Sequence, residues 1–239
     1  MEQKHNNQVI ILGFFIFLGL LSLGYFVAHA VVKYKSYERS VTVKGLSEHE
    51  YPAGIVIWPI QFTEAENKLE DLYVTLEKST QKIQAFLKRA GINAAEITVS
   101  SPAITDKLAQ RYGNSPRAEF RYTAIQTVTV YSHNVALVRS LMNRLGELGK
   151  QGIAFGGDDY QNQVEYLFTR LNEVKPEMIQ EATTKAREVA LKFAQDSKSQ
   201  LGKIKRASQG SFSISSRDKN NPHIKKVRVV STVEYYLAD

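Results

Sequence analysis

Hydrophobic residues follow two patterns in this chain: one unbroken run near the start, and periodic stripes after it. The unbroken run extends from Val9 to Val32 and contains no Asp, Glu, Lys or Arg. A helix over these 24 positions would be about 36 Å long, which exceeds the hydrocarbon core of about 30 Å. The pattern predicts a helix that enters a membrane, with a folded domain behind it.

Two interpretations of this run stay open. The triplet Ala28-His29-Ala30 is similar to a signal-peptidase site and would allow cleavage. The run is longer than the usual apolar core of a signal peptide, about 7 to 15 residues, which favours an uncleaved anchor. The cations Lys33, Lys35 and Arg39 would retain the domain in the cytoplasm by the positive-inside tendency, although long domains translocate largely regardless of charge.

Periodic stripes predict the elements of the remaining chain. Two strands meet at the turn Tyr51-Pro52-Ala53-Gly54, and a long helix from Asn67 to Ala90 ends at Gly91. The next predicted elements are a strand at 97–100, a polar loop at 106–116, a strand at 120–131, a helix at 134–148 and a strand at 164–170.

A third helix is predicted from Pro176 to about Gln200, with Gly202 ending it. We expect its buried stripe to comprise Ile179, Ala182, Ala186, Val189, Ala190 and Phe193. The final quarter predicts a hairpin, in which KIKRASQGSFSISS and KKVRVVSTVEYYL flank the polar turn RDKNNPH.

Together these elements predict an α+β fold, with three main helices packed on a largely antiparallel sheet after one N-terminal transmembrane helix. Three junctions repeat the order helix, Gly, Ile-bearing strand, which is compatible with a β-α-β duplication, although their spacing varies too much to define a repeat. The expected divisions are a tail at 1–8, the membrane segment at 9–32, a linker at 33–40 and one domain at 41–239.

Composition agrees with a folded domain and excludes some chemistry. Of the 239 residues, 43% are apolar and 23% are charged, with 12 Tyr and 11 Phe, so the chain is not largely disordered. The lack of cysteine excludes disulfides, thiolate metal sites and a cysteine nucleophile. The net charge of +7 points weakly to anionic partners.

Catalytic and cofactor motifs are missing from the sequence. None of the five histidines lies three or four residues from another, and neither a phosphate-binding glycine loop nor a nucleophile elbow occurs. We therefore expect no metal and no cofactor. The pair Asp158-Asp159 could bind a cation, but adjacent loop acids more often form turns, and we favour a turn.

Cations are densest in the predicted hairpin, where they could gather on one face. Such a face would neutralise the phosphates of anionic lipid or nucleic acid, although charges on edge strands more often prevent sheet-to-sheet aggregation. Trp58 is expected in the core, and Pro59 indicates an edge strand or a bulge. The candidate anion-binding residues are Lys203, Lys205, Arg206, Lys225, Lys226 and Arg228.

Several segments, taken in order, resemble the bacterial SIMPL domain family. They are VTVKGLSEHEYPAGIVIWPIQF, FLKRAGINAAEITVSSP, YTAIQTVTVYS, GIAFGG, EATTKAREVALKFAQDSKSQLGKI and VRVVSTVEYYL. The resemblance implies an envelope protein, usually periplasmic, with a signal sequence or an anchor and no established enzymatic activity. It also implies a link to stress tolerance and, for some relatives, ring-like or channel-like oligomers. It supplies no catalytic residue to transfer, and IVIWPIQF and YLFTRLNEVKPEM depart from the family pattern.

We therefore predict a non-enzymatic protein of the bacterial inner membrane, with its domain in the periplasm, that acts through protein contact and forms homo-oligomers. A cleaved periplasmic form is the alternative location. The alternative function is a membrane-tethered binder of anionic lipid or nucleic acid through the basic hairpin, with nucleic acid the less favoured ligand. An unrecognised hydrolase around Asp158 and Asp159 ranks third.

Overall fold

The structure, a computed structural model, describes residues 2–36, 39–109, 119–156 and 163–238, with the side chains of the first helix described from Leu12 to Tyr34. The helices are α1 (Glu2–Ser36), α2 (Leu69–Arg89), α3 (Val135–Met142), α4 (Gly146–Gly149) and α5 (Leu171–Asp196). The strands are β1 (Ser40–Pro52), β2 (Ile55–Glu66), β3 (Ile97–Val99), β4 (Ala103–Asp106), β5 (Tyr122–Ser132), β6 (Ala154–Phe155), β7 (Glu165–Leu167), β8 (Gln200–Gln209), β9 (Ser213–Ser216) and β10 (Ile224–Ala238).

The chain forms two compact units and passes between them several times. Unit 1 comprises Met1–Glu48, Val174–Ser213 and Arg228–Asp239, and unit 2 comprises His49–Glu173 and Ile214–Val227. The predicted α+β class is confirmed. The strands form two sheets where we expected one, because alternating apolar residues identify a strand but not its partners.

Unit 2 contains a six-stranded sheet in the order β3-β5-β2-β6, in which β4 also pairs with β5 and β7 with β2. The long antiparallel pairing of β2 with β5 runs from Val56 opposite Ser132 to Glu66 opposite Tyr122. Trp58 is buried in the core of this unit, as predicted. Helix α2 contributes Leu72, Leu76, Ile83, Phe86 and Leu87 to the same core.

Pro59 does not mark an edge strand, because β2 has partners on both sides. On one side Pro59 lies opposite Thr129 of β5. On the other side, β7 pairs with residues 55–57 and β6 with residues 62–63, so Pro59 lies between the two pairings. A residue without an N–H group is tolerated there because neither short strand requires its donor.

In unit 1, α5 packs on a sheet in the order β1-β10-β8. The predicted stripe of α5 is partly wrong: Val189 and Phe193 are exposed, the latter by 54%. The buried residues recur every four positions, at Met178, Ala182, Ala186, Ala190 and Ala194. Four of these five are alanines, so the backbone of α5 can lie close to the sheet.

Gly45 on β1 is the point of closest approach. A Cβ atom at this position would lie 2.5 Å from the backbone nitrogen of Ala186 and closer still to the carbonyl oxygen of Ala182. The neighbouring Ser47 is fully buried and donates a hydrogen bond to the carboxylate of Glu181 on α5. The contact between α5 and β1 therefore combines close backbone packing with a hydrogen bond from Ser47 to Glu181.

The predicted helix at 134–148 is two short helices. Helix α3 ends at Met142, and α4 begins at Gly146, a residue of low helix propensity. Helix α5 begins at Leu171, five positions before the predicted Pro176, and ends at Asp196 rather than near Gln200. Lys198 then takes a left-handed backbone conformation, with φ of 54°. Gly202 accordingly lies within β8 and does not end the helix.

We expect Gly45→Ala to lower the free energy of unfolding by about 3 kcal/mol, because the added methyl group forces α5 away from β1. Denaturant unfolding of the full chain in detergent measures this change. Gly146→Ala is the matched control, since its Cβ would meet no atom within 4 Å, and we expect a change within about 1 kcal/mol. Equal stability of the two variants would contradict the close contact.

Candidate functional site

A groove in unit 1 is the candidate site, and we call it the α5–β8 groove. One wall is the flank of α5, the other is β8, and Tyr235 of β10 lies at the base. The volume is about 520 Å³, within the range of small-molecule clefts. The residues of its two walls are Thr183, Thr184, Arg187 and Leu191 on α5, and Leu201, Gly202, Lys203 and Ile204 on β8.

The wall on α5 follows from helix geometry. Thr183, Arg187 and Leu191 recur at intervals of four and therefore share one flank, beside the buried alanine stripe. The sequence patterns do not predict this flank. They indicate only the apolar stripe of α5 and the cluster of cations near the C-terminus. The signal available in the sequence was the repeat of polar, cationic and apolar residues at that spacing.

The lining combines two cations with apolar surface. Leu191 and Ile204 are 40% and 49% exposed, so each presents apolar area to a ligand. Arg187 and Lys203 supply positive charge. The described residues that line the groove include no Asp or Glu. This chemistry suits a ligand with an anionic group and an adjoining apolar part.

The structure divides the six predicted anion-binding residues between the two units. Lys203, Lys205, Arg206 and Arg228 belong to unit 1, and Lys225 and Lys226 belong to unit 2. Two of the unit 1 cations contact carboxylates of the same chain: Lys205 Nζ lies 3.0 Å from Glu234 Oε1, and Arg228 Nε lies 4.0 Å from Glu48 Oε2. Part of their charge is therefore neutralised within the fold.

Strand register also separates the unit 1 cations from one another. Arg206 on β8 lies opposite Glu234 on β10. Arg228 lies six residues before Glu234 on the same strand, which is about 20 Å along an extended chain. Lys203, Lys205 and Arg206 consequently form one group, from which Arg228 is distant.

Two cations of unit 2, Lys225 and Arg217, contact polar residues at the turn before β10. Lys225 Nζ donates to Ser216 Oγ over 3.0 Å, and burial lowers the pKa of Lys225. Arg217 contacts Asp218, with Nε 2.8 Å from Oδ2. Hydrogen bonds, first from Arg217 and then from Asn221, lower the pKa of Asp218 to about 2. This turn is held together by its own charges.

The predicted acidic pair Asp158-Asp159 lies outside the described residues. Within the ranges that the structure does describe, no group of three or more His, Asp or Glu residues could hold a metal ion.

Helix α1 contains a candidate membrane span, Leu12–Tyr34, which covers most of the predicted run. Its mean hydropathy is 2.1, and no part of it is buried within the protein. An isolated helix with this much exposed apolar surface is stable in a bilayer but not in water. The helix thus fits a membrane anchor or a signal sequence, as the sequence predicts.

Comparison with known proteins identifies the family. Residues 41–234 match the model of the family described as "SIMPL: Protein of unknown function (DUF541)". The match covers most of the chain, so the protein belongs to the SIMPL family. No curated protein matches the sequence.

Glu234 links β1 to β8 and provides a test of the geometry beside the groove. Ser40 Oγ donates to its Oε1 over 2.6 Å, and Lys205 Nζ donates over 3.0 Å. These contacts, with Ser40 the larger cause, lower the pKa of Glu234 below its ordinary value. The lowered pKa means that the contacts stabilise the fold above the ordinary pKa and lose that effect as pH falls through the folded value.

We expect Ser40→Ala to raise the pKa of Glu234 towards its ordinary value, measured by carboxyl-carbon NMR titration of the full chain in detergent. Thr42→Ala, an exposed change on the same strand, should leave the pKa of Glu234 unchanged. An unaltered pKa in Ser40→Ala would show that the hydroxyl does not bind the carboxylate.

Proposed function

We propose that this member of the SIMPL family is a non-enzymatic envelope protein, anchored in the bacterial inner membrane by α1 and carrying its folded units in the periplasm. In this proposal it acts through contact with other polypeptides, including further copies of itself, and contributes to envelope stress tolerance. The observation that carries the contact role is the open edge of β8.

Strand β8 pairs with β10 on one side and with no described strand on the other. Of its ten residues, only Leu201 and Gly202 are even partly buried. An edge of this kind offers unpaired N–H and C=O groups to the strand of another chain. Such an edge supports a role in binding extended polypeptide.

Hydrogen-bond alternation identifies which groups are open. Gly210 N donates to Val230 O over 2.8 Å, so these two residues form a hydrogen-bonded pair of the antiparallel ladder. The same register places Ser208 opposite Thr232 in the next such pair. Ala207, which precedes Ser208 and lies opposite Val233, therefore directs its N–H and C=O away from β10, towards an incoming strand.

Charge favours a head-to-tail contact between copies. Two β8 strands placed together would oppose Lys203, Lys205 and Arg206 with the same cations, which is repulsive. Strand β1 is the other edge of the sheet in unit 1 and carries a single lysine, Lys44, in place of that run of cations. A contact of β8 with β1 of the next copy joins unlike edges, and repetition of that contact gives a ring or a filament.

The location is tested with a reporter fused after Asp239. Alkaline phosphatase is active only after export, whereas an ordinary fluorescent protein requires the cytoplasm. We expect phosphatase activity without fluorescence from the paired fusions. Fluorescence without phosphatase activity would place the domain in the cytoplasm, as Lys33, Lys35 and Arg39 would predict.

Self-association is tested at Ala207. Ala207→Pro removes the outward N–H while sparing the hydrogen bonds to β10, and we expect it to shift the full chain in detergent from oligomer to monomer. Ala207→Val retains the N–H and should preserve the oligomer. Size-exclusion chromatography with light scattering measures both, and a strictly monomeric natural chain at high concentration would remove self-association from the proposal.

A further inference from the structure

We infer that the α5–β8 groove binds the headgroup of an anionic phospholipid drawn from the bilayer that α1 enters. This contact is distinct from the polypeptide contact proposed for the edge of β8, and it holds for either orientation of the chain. Three properties of unit 1 support it: the distance along the chain from the membrane, the residues that share the membrane-proximal end, and the chemistry of the groove.

The chain between the membrane and the sheet is short. Four residue steps separate Ser36, where α1 ends, from Ser40, where β1 begins, and they span at most about 14 Å. Ser36 lies two helical residues beyond Tyr34, the end of the candidate span, which adds about 3 Å. The start of β1 is thus within about 17 Å of the hydrocarbon edge.

Most of that interval is occupied by headgroups or reached by their charge. The headgroup layer is about 5 to 7 Å thick on each side of a bilayer. The potential of its phosphates extends for one Debye length, about 8 Å at physiological salt. Cations near the start of β1 are therefore within the electrostatic reach of the lipid surface.

Hydrogen bonds connect the start of β1 to the groove. Leu237 on β10 donates its N–H to the carbonyl of Arg39 over 2.9 Å, and Leu237 lies opposite Leu201 on β8. Neighbouring strands are about 4.8 Å apart, so Leu201, which lines the groove, lies about 10 Å from Arg39. The Leu201 end of the groove therefore lies at the end of unit 1 that is joined to α1.

The turn between α5 and β8 lies at the same end. Arg39 Nη2 donates to Ser199 Oγ over 3.4 Å, which places the exposed Lys198 beside Arg39. Lys203 follows two residues after Leu201 on β8. Asp196 and Glu234 are carboxylates of this region, and Glu234 is engaged by Ser40 and Lys205. Positive charge therefore remains on the side that faces the anchor.

The groove itself matches a lipid headgroup. Arg187 and Lys203 can contact a phosphate from opposite walls. The hydroxyls of Thr183 and Thr184 can hydrogen-bond glycerol or phosphate oxygens. Leu191 adds exposed apolar surface that can contact the first carbons of an acyl chain. A second β8 strand would bring only further cations to this wall, whereas a lipid phosphate brings the opposite charge.

The test is native mass spectrometry of the full chain in detergent, titrated with phosphatidylglycerol or phosphatidylcholine. The α1 helix binds lipid in every sample, so the groove is measured by comparing variants. We expect phosphatidylglycerol to bind more tightly than phosphatidylcholine. The pair Arg187→Gln and Lys203→Gln removes two phosphate-facing cations and should weaken phosphatidylglycerol binding about thirtyfold.

The matched control is the pair Lys150→Gln and Lys219→Gln, two exposed cations of unit 2 that give the same change in net charge and should retain full binding.

Equal binding of the two lipids, or equal weakening by both pairs, would overturn the inference. Complete displacement of phosphatidylglycerol by glycerol phosphate would overturn its lipid part and leave a site for free phosphate. Displacement by an acidic peptide instead would assign the groove to a polypeptide and also overturn it. A failure of self-association at Ala207 would leave this result untouched.

Discussion

The close contact of α5 with β1 determines the layout of unit 1. Because Gly45 has no side chain, the helix backbone lies against the strand, and only alanine fits at the buried positions 182 and 186. The larger apolar residues of α5 are excluded from that contact and lie on its flanks, where Leu191 borders a groove. The groove beside β8 is thus a consequence of the short distance between the α5 backbone and β1.

The sequence predicted individual elements more reliably than their arrangement. Apolar periodicity located α2 and the turn between β1 and β2, and Gly91 ends α2 with a positive φ, as expected. Sheet membership was not predictable, because the strand pattern is the same for either sheet. The burial of Val189 and Phe193 was predicted wrongly because the hydrophobicity of a side chain does not reveal which face of the helix meets the sheet.

The candidate site was predictable only in part, since it depends on register. Lys203 was selected from its charge, and it lines the groove. The predicted hairpin groups Arg228 with Lys203 on one face, yet the pairing of Arg206 with Glu234 places them far apart. Arg187 and the threonines of α5 are 16 or more residues before Lys203, and only the packing of α5 on the sheet brings the two walls together.

The strand order of the sheet in unit 1 also constrains how the protein is made. Its central strand, β10, is the last described element in the chain, whereas its outer strands β1 and β8 are synthesised earlier. Neither outer strand can complete its pairing until β10 has emerged, because β10 is the partner of both. By that time α1 has long left the ribosome, so the apolar helix is exposed before the sheet can form. Unit 1 therefore completes its sheet only after its apolar first helix has become available to a membrane.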